Sequence, residues 1–328
     1  MTGMTMTLRY SFAGAVALTV LATAAGAADM QPVLKAPGAQ PEQQATGYVE
    51  VYSGWGSTKS TDCFSAGCGT FKANGWALGG AARGNYWITR DVSVQVDAQA
   101  EGTSNDCSNC SGHFSTHSYL VGGHWSWRNP QQYLFGLFAA AGDAGGSGFT
   151  DPQRHGLIGA EAQWYWHQFT LYAQGGYDTT LHGDGFTDSV SAWFIRGTGR
   201  YFINPNFLIE GTVMYANGNV DTQATRNPSF GFQTWTWGVK GEWRFATAPF
   251  SVFAKYQGSE SKYDDSSRFG FVGAKVTDQR VLLGLKLHMG DRTLQQTDRT
   301  GATLDIVSPL ANPTSPLMLS PGGSSIGF

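Results

Sequence analysis

From residue 47 to residue 289 the chain alternates apolar and polar side chains with a period of two, and few folds can use such a pattern over so long a stretch. Successive side chains of a strand point to opposite faces, so this period gives each segment one oily face and one wet face. In residues 92 to 101, Val92, Val94, Val96, Ala98 and Ala100 share one face, and Ser93, Gln95, Asp97, Gln99 and Glu101 share the other. The division recurs where Trp235, Trp237, Val239, Trp243 and Phe245 oppose Thr234, Thr236, Lys240, Glu242 and Arg244.

Twelve such segments can be counted, near 47–58, 75–88, 92–102, 113–127, 132–143, 154–167, 169–181, 189–203, 206–217, 231–246, 250–261 and 276–289. The connections alternate in length. Thr89-Arg90-Asp91, Asn129-Pro130-Gln131, His167-Gln168, Asn204-Pro205 and Thr247-Ala248-Pro249 read as tight turns. Longer polar stretches lie between them at 59–74, 103–112, 144–153, 182–188, 218–230 and 262–275. Trp125, Trp127, Tyr133, Trp164, Trp166, Phe169, Tyr201, Trp243, Phe245 and Phe250 fall beside the tight turns, as an interfacial girdle requires. The fold class expected is all-β, a transmembrane antiparallel β-barrel of about twelve strands. A sheet in hydrocarbon must close, because an open edge leaves backbone groups unpaired. Both termini and the tight turns belong on the periplasmic side, and the longer loops outside.

Composition narrows the choice further. The chain has 44 glycines among 328 residues and only 14% charged residues, yet 13% aromatics argue against disorder. A net charge of −3, with Lys and Arg dispersed, gives no basic patch for nucleic acid. Residues 1–27 read as a secretory signal, with an uncharged run after Arg9 and a cleavage junction between Ala27 and Ala28. Residues 28–46 form a Pro- and Gln-containing lead-in, 47–289 the barrel, and 290–328 a periplasmic tail expected to be disordered. Pro309, Pro313 and Pro316 prevent that tail from supplying another membrane strand.

The Ala27-Ala28-Asp29 junction, the run Pro32-Val33-Leu34-Lys35-Ala36-Pro37 and the entry Thr46-Gly47-Tyr48-Val49 resemble those of small alphaproteobacterial outer-membrane β-barrels, the porin-family or major surface antigen type. This sequence departs from them in lacking a Trp before Thr46-Gly47, in its strand count and in continuing past its last strand. The resemblance implies residence in the outer membrane of a Gram-negative bacterium, contact with its lipid and its insertion machinery, and passive diffusion of small polar solutes. A non-conducting surface protein or adhesin fits the same pattern.

With the oily faces outward, the lumen receives the acids Glu50, Asp97, Glu101, Glu161, Asp178, Glu210 and Glu242. It also receives the bases Arg83, Arg196, Arg200, Lys240, Arg244, Lys255, Arg280 and Lys286. Six of these seven acids lie on the first nine strands and seven of the eight bases on the last five, which predicts an acidic wall facing a basic one. The competing reading is a ladder in which Glu210 pairs with Arg196 or Arg200 and with Lys240 or Arg244. Cys63, Cys68, Cys107 and Cys110 sit in the first two long connections, and export favours disulfides over zinc, with within-loop and cross-loop pairings both open. His113 and Ser115 share a face near the rim, with Asp106 and Asn109 close in sequence, which keeps an outer-membrane hydrolase as a remote alternative. No histidine spacing suits a metal, and no cofactor motif is present.

Overall fold

The computed structural model describes residues 44–64, 67–107, 113–146, 153–182, 189–221, 230–264 and 271–315. Twelve strands form one sheet: β1 Ala45–Phe64, β2 Gly67–Trp87, β3 Val92–Cys107, β4 His113–Asn129, β5 Tyr133–Gly146, β6 Gln153–Trp166, β7 Phe169–His182, β8 Ser189–Asn204, β9 Phe207–Asp221, β10 Phe230–Arg244, β11 Phe250–Tyr263 and β12 Phe271–Met289. Each strand pairs antiparallel with its sequence neighbours, and β1 pairs with β12 from Gly47↔Met289 upward, closing the barrel. The expected fold class is the observed one. The signal, its Ala27/Ala28 junction and the lead-in up to residue 43 lie outside the described residues.

The wall has the orientation that the alternation demands. Val96, Leu137, Ile158, Leu171, Ile195, Val239 and Leu283 are exposed on the outside, while Ser93, Gln95, Thr234 and Glu242 are buried on the inside. The exposed aromatics form two belts rather than the single girdle expected. One lies by the tight turns, with Trp125, Trp127, Trp164, Trp166, Trp243 and Phe250; the other, toward the long connections, has Trp55, Trp76, Tyr177, Trp193 and Trp235. On β10 the belts are Trp235 and Trp243, eight residues apart, or about 26 Å along a strand, close to the ~25 Å apolar band of a membrane barrel. At the short-turn end Asn129 and Asn204 each accept a hydrogen bond from the backbone N–H two residues on, at 3.0 and 2.9 Å, which folds the chain back.

Two expectations are corrected here. The connections at 59–74 and 103–112 are mostly strand: β1 and β2 are separated only by residues 65–66, and β3 and β4 only by 108–112. Beyond the membrane the outward face need not be apolar, so the hydropathy pattern fades while the hydrogen-bond ladder continues.

The second correction concerns the tail, expected to be disordered, of which residues 290–315 are ordered at the short-turn mouth and inside the barrel. Gly290, at φ 95°, turns the chain back from β12, and a short helix, α1 (Leu294–Thr300), lies across the short-turn mouth. Thr293 caps α1 by accepting from the Gln296 N–H, and the Gln295 N–H and Arg299 guanidinium donate to carbonyls of the turns at Pro205 and His167. Residues 301–315 then climb the lumen. Leu304 packs with Leu134, Tyr165 and Tyr172; Ile306 with Leu120, Phe138, Phe194 and Met214; and Leu310 with Val190, Phe232, Tyr263 and Val276 near the long-loop end. The physical reason is volume. Eight strands enclose a space that wall side chains fill, whereas twelve leave a bore that needs additional material to be dry.

Outward Val239→Arg should cost about 2–4 kcal/mol of stability, because the charge loses hydration near mid-membrane, and Trp243→Arg should cost less because an interfacial Arg reaches headgroups. Inward Thr236→Arg should leave the barrel folded while displacing Asn312, whose amide donates to Thr236 Oγ1 at 2.7 Å. Urea unfolding in lipid vesicles, combined with protease digestion of the tail, distinguishes the three outcomes.

Candidate functional site: the charged barrel interior

Inward positions on neighbouring strands fall into rows across the ladder. One row reads Arg200, Glu210, Lys240, Lys255, each directly opposite the next on β8, β9, β10 and β11. Arg200 Nε meets Glu210 at 2.8 Å, and Lys240 lies 3.5 Å from Glu210 and 3.3 Å from Glu242. Glu242 also accepts from Lys286 at 3.1 Å and from Ser251 at 2.7 Å, and Lys286 reaches Glu50 at 3.2 Å. Arg83 pairs with Asp97 at 3.4 Å, and Arg280 with Asp278 at 2.7 Å. Arg280 also reaches over β1 and β2 to Glu101, to which the Tyr52 hydroxyl donates at 2.9 Å.

All fifteen residues expected to line the lumen face the interior, but the acidic and basic walls do not stay apart. Glu101 on β3 is neutralised by Arg280 on β12, and Asp97 by Arg83 on the adjacent strand. On the remaining acidic side, His124 bridges Asp97 at 3.4 Å and Glu161 at 2.7 Å, and His155 Nδ1 meets Asp178 at 2.9 Å. The ladder reading holds for Glu210, Arg200 and Lys240. Burial gives the physical cause, since an unpaired charge in a low-dielectric interior costs several kcal/mol (roughly) and cross-strand pairing removes that cost.

The tail supplies what wall-only reasoning missed. Arg196 donates to Asp305 at 2.7 Å and Arg200 to Asp298 at 2.9 Å; Thr170 also donates to Asp298, at 2.6 Å. Gln174 and Gln95 donate to the Asp305 and Leu304 carbonyls, both at 2.7 Å, and Arg128 to the Gly301 carbonyl at 3.0 Å. Higher up, Ser308 donates to Asp178, and Thr314 is held by Ser261 at 2.8 Å. Asp305 sits among Arg196, Arg83 and Arg200, whose charges compensate its buried carboxylate. A sequence signal was present: Thr293 and Gln296 have capping-box spacing.

Among the cysteines, Cys63 lies directly opposite Cys68 in the β1–β2 register, and Cys68 and Cys107 each take part in a disulfide. Cys110 lies outside the described residues. At the β3–β4 rim, His113 Nδ1 is 3.0 Å from Asp106, and its Nε2 is 3.2 Å from Ser104 rather than Ser115. The order hydroxyl, imidazole, carboxylate matches a nucleophile, a base and its orienter. Here, however, His113 and Asp106 are 58% and 86% exposed, and water competes for every bond. A hydrolase also needs donors for the developing oxyanion, and none is directed at Ser104 among the described residues of this hairpin.

No family model matches the sequence, and no curated protein is similar to it. By structure, the chain is similar to the COG4313 outer membrane channel from Pseudomonas putida F1, with a TM-score of 0.55 at 12% identity over 78% of this chain and 100% of that one. Fainter likenesses are to the NanC porin, with a TM-score of 0.40 at 10% identity over 73% of this chain and 100% of that one, and to the outer membrane protease OmpT from Escherichia coli, with 0.35 at 12% over 75% and 96%. The class is thereby defined: a closed twelve-stranded antiparallel barrel of the outer-membrane type.

Two outcomes follow for the tail. Asp305→Ala leaves Arg196 buried with only the Gln174 carbonyl, at 2.9 Å, as a side-chain acceptor. Removing one member of a buried pair costs about 3–5 kcal/mol, so the tail of this variant should become protease-sensitive while the barrel stays intact. Asp291, at the root of the tail, has its pKa pushed up to about 6 by burial, offset in part by Thr297, Arg244 and Arg128. Its folded pKa lies above the unfolded value of ~3.9, so the docked tail binds the extra proton and loses about 2–3 kcal/mol as pH rises from ~4 to ~6. Tail protection measured at pH 4.5 and 7.5 should fall with pH in the wild type and stay level in Asp291→Asn.

Proposed function

We propose that the protein is an outer-membrane channel whose own C-terminal segment occludes its lumen, and that it admits small polar solutes along the charged strip beside that segment. The supporting observation is the division of the bore. Over residues 298–306 the tail is held by side chains of β2 through β9, whereas the inward-facing Glu50 of β1, Arg83 of β2, Glu101 of β3 and Lys240 of β10 retain 13–21% accessibility. Fixed charges in contact with water inside a barrel favour polar solutes and reject apolar ones, which must strip oriented water. Near the long-loop end the apolar cluster around Leu310 makes this a closed state, and passage requires that part of the tail to shift.

The tight turns then face the periplasm, the outward face meets outer-membrane lipid, and the insertion machinery assembles the barrel. The alphaproteobacterial resemblance belongs to the same reading, and the lead-in that carries much of it lies outside the described residues. Within-loop disulfides, Cys63 with Cys68 and Cys107 with Cys110, would brace the first two hairpins. The Leu310 cluster also favours a second reading, a permanently closed structural or adhesive barrel.

Planar-bilayer recording decides between them. The full chain should give small unit steps, and a chain ending at Gly290 should give steps several-fold larger. Silence from both proteins, each shown to be folded by heat-modifiable migration, would leave the closed barrel as the surviving reading.

A further inference from the structure

Like charges placed directly opposite each other on adjacent strands repel, and a fold keeps such a pair only where something offsets it. Lys240 and Lys255 are such a pair, on the inward faces of β10 and β11. Lys240 is compensated by Glu210 and Glu242. Among the described lysines and arginines that face the lumen, Lys255 is the one that makes no hydrogen bond or ion pair. The acids whose fields reach it most strongly, Glu101 and Glu210, are already committed, the first to Arg280 and Tyr52, the second to Arg200 and Lys240.

The residues flanking the ammonium stem give it no partner. Lys255 runs past Gly238, where an added Cβ would lie 3.9 Å from the lysine Cε and 3.2 Å from the Tyr256 carbonyl, so no side chain at this position of β10 covers the lysine. On its other side Lys255 faces Leu282 of β12, which offers no polar group. On these two strands the upper tail is held by Asn312 on Thr236 and by Thr314 on Ser259 and Ser261, while its carboxylates at 298 and 305 are spent on Arg200 and Arg196.

We propose that Lys255, with Lys240 beside it, is an anion-binding station in the passage, taking small solutes that carry a carboxylate or a phosphate. The inference rests on the channel reading for its role in transport, but not for binding itself. An ammonium that no protein carboxylate neutralises is a docking point for a mobile anion, and the adjacent Lys240 deepens the local positive potential. Occupancy would relieve the Lys240–Lys255 repulsion, and the weak, single-point grip of a lysine would let the solute leave again.

The test uses the full chain, refolded and checked by heat-modifiable migration, as wild type, Lys255→Gln, Lys255→Glu and Lys255→Arg. Reversal potentials in a potassium chloride gradient should shift toward cation preference in Lys255→Gln, further in Lys255→Glu, and back to the wild-type value in Lys255→Arg. Separately, inorganic phosphate should broaden its own phosphorus resonance saturably with wild type and Lys255→Arg, and not with Lys255→Gln. Unchanged selectivity together with unchanged phosphate binding across the series overturns the station while leaving the channel standing. Phosphate binding that depends on Lys255 in a barrel that never conducts supports the station and removes the channel. Neither conduction nor phosphate binding in the wild type overturns both.

Discussion

The hydrogen-bonded seam between β1 and β12 is the constraint on which the rest of this molecule depends. In hydrocarbon a strand edge has no water to satisfy its N–H and C=O groups, so an open twelve-stranded sheet is not an available state. Closure joins residues far apart in sequence, Gly47 with Met289 and Trp55 with Val281, and it turns the alternation of side chains into an inside and an outside. The two aromatic belts and the wet interior follow from that one topological fact.

Closure also creates a problem that the tail resolves. A twelve-stranded wall encloses more space than its own side chains fill, and many of those side chains are ionic. The tail enters with acids placed for the arginines of β8, carbonyls placed for Gln95, Gln174 and Arg128, and apolar residues at the levels where the wall is apolar. Below the Leu310 cluster, β10, β11, β12 and β1 carry a polar strip in which acids and bases pair with each other, apart from Lys255 and from Arg244, which donates to the Asp291 carbonyl.

The strands were legible because period two is a local property, and both faces of β3 and β10 could be assigned from a handful of residues each. The first two hairpins were misjudged because, above the membrane, the outward face of β1 carries Ser57 and Lys59 and the apolar marker vanishes while the ladder continues. Pairings along adjacent strands, such as Arg200 with Glu210, could be foreseen. Glu101 with Arg280 could not, because β12 comes within reach of β3 only after the barrel has closed. The tail was hidden for a different reason. Leu304, Ile306 and Leu310 share an even spacing, but Pro309 interrupts the run and no wall strand pairs with it, so its burial is set by the lumen it climbs rather than by the sheet.

The reversal at Gly290 sets how the tail can behave. Its left-handed backbone aims the chain back at the mouth, and only residues 290–293 separate the last wall strand from α1. A segment tethered so closely experiences the lumen at a very high effective concentration. If it is displaced it cannot be diluted away, so each barrel exchanges with its own tail alone, and the balance between docked and undocked forms is independent of how many copies the membrane holds. Any species that competes with the tail for the wall must therefore outmatch an intramolecular rival.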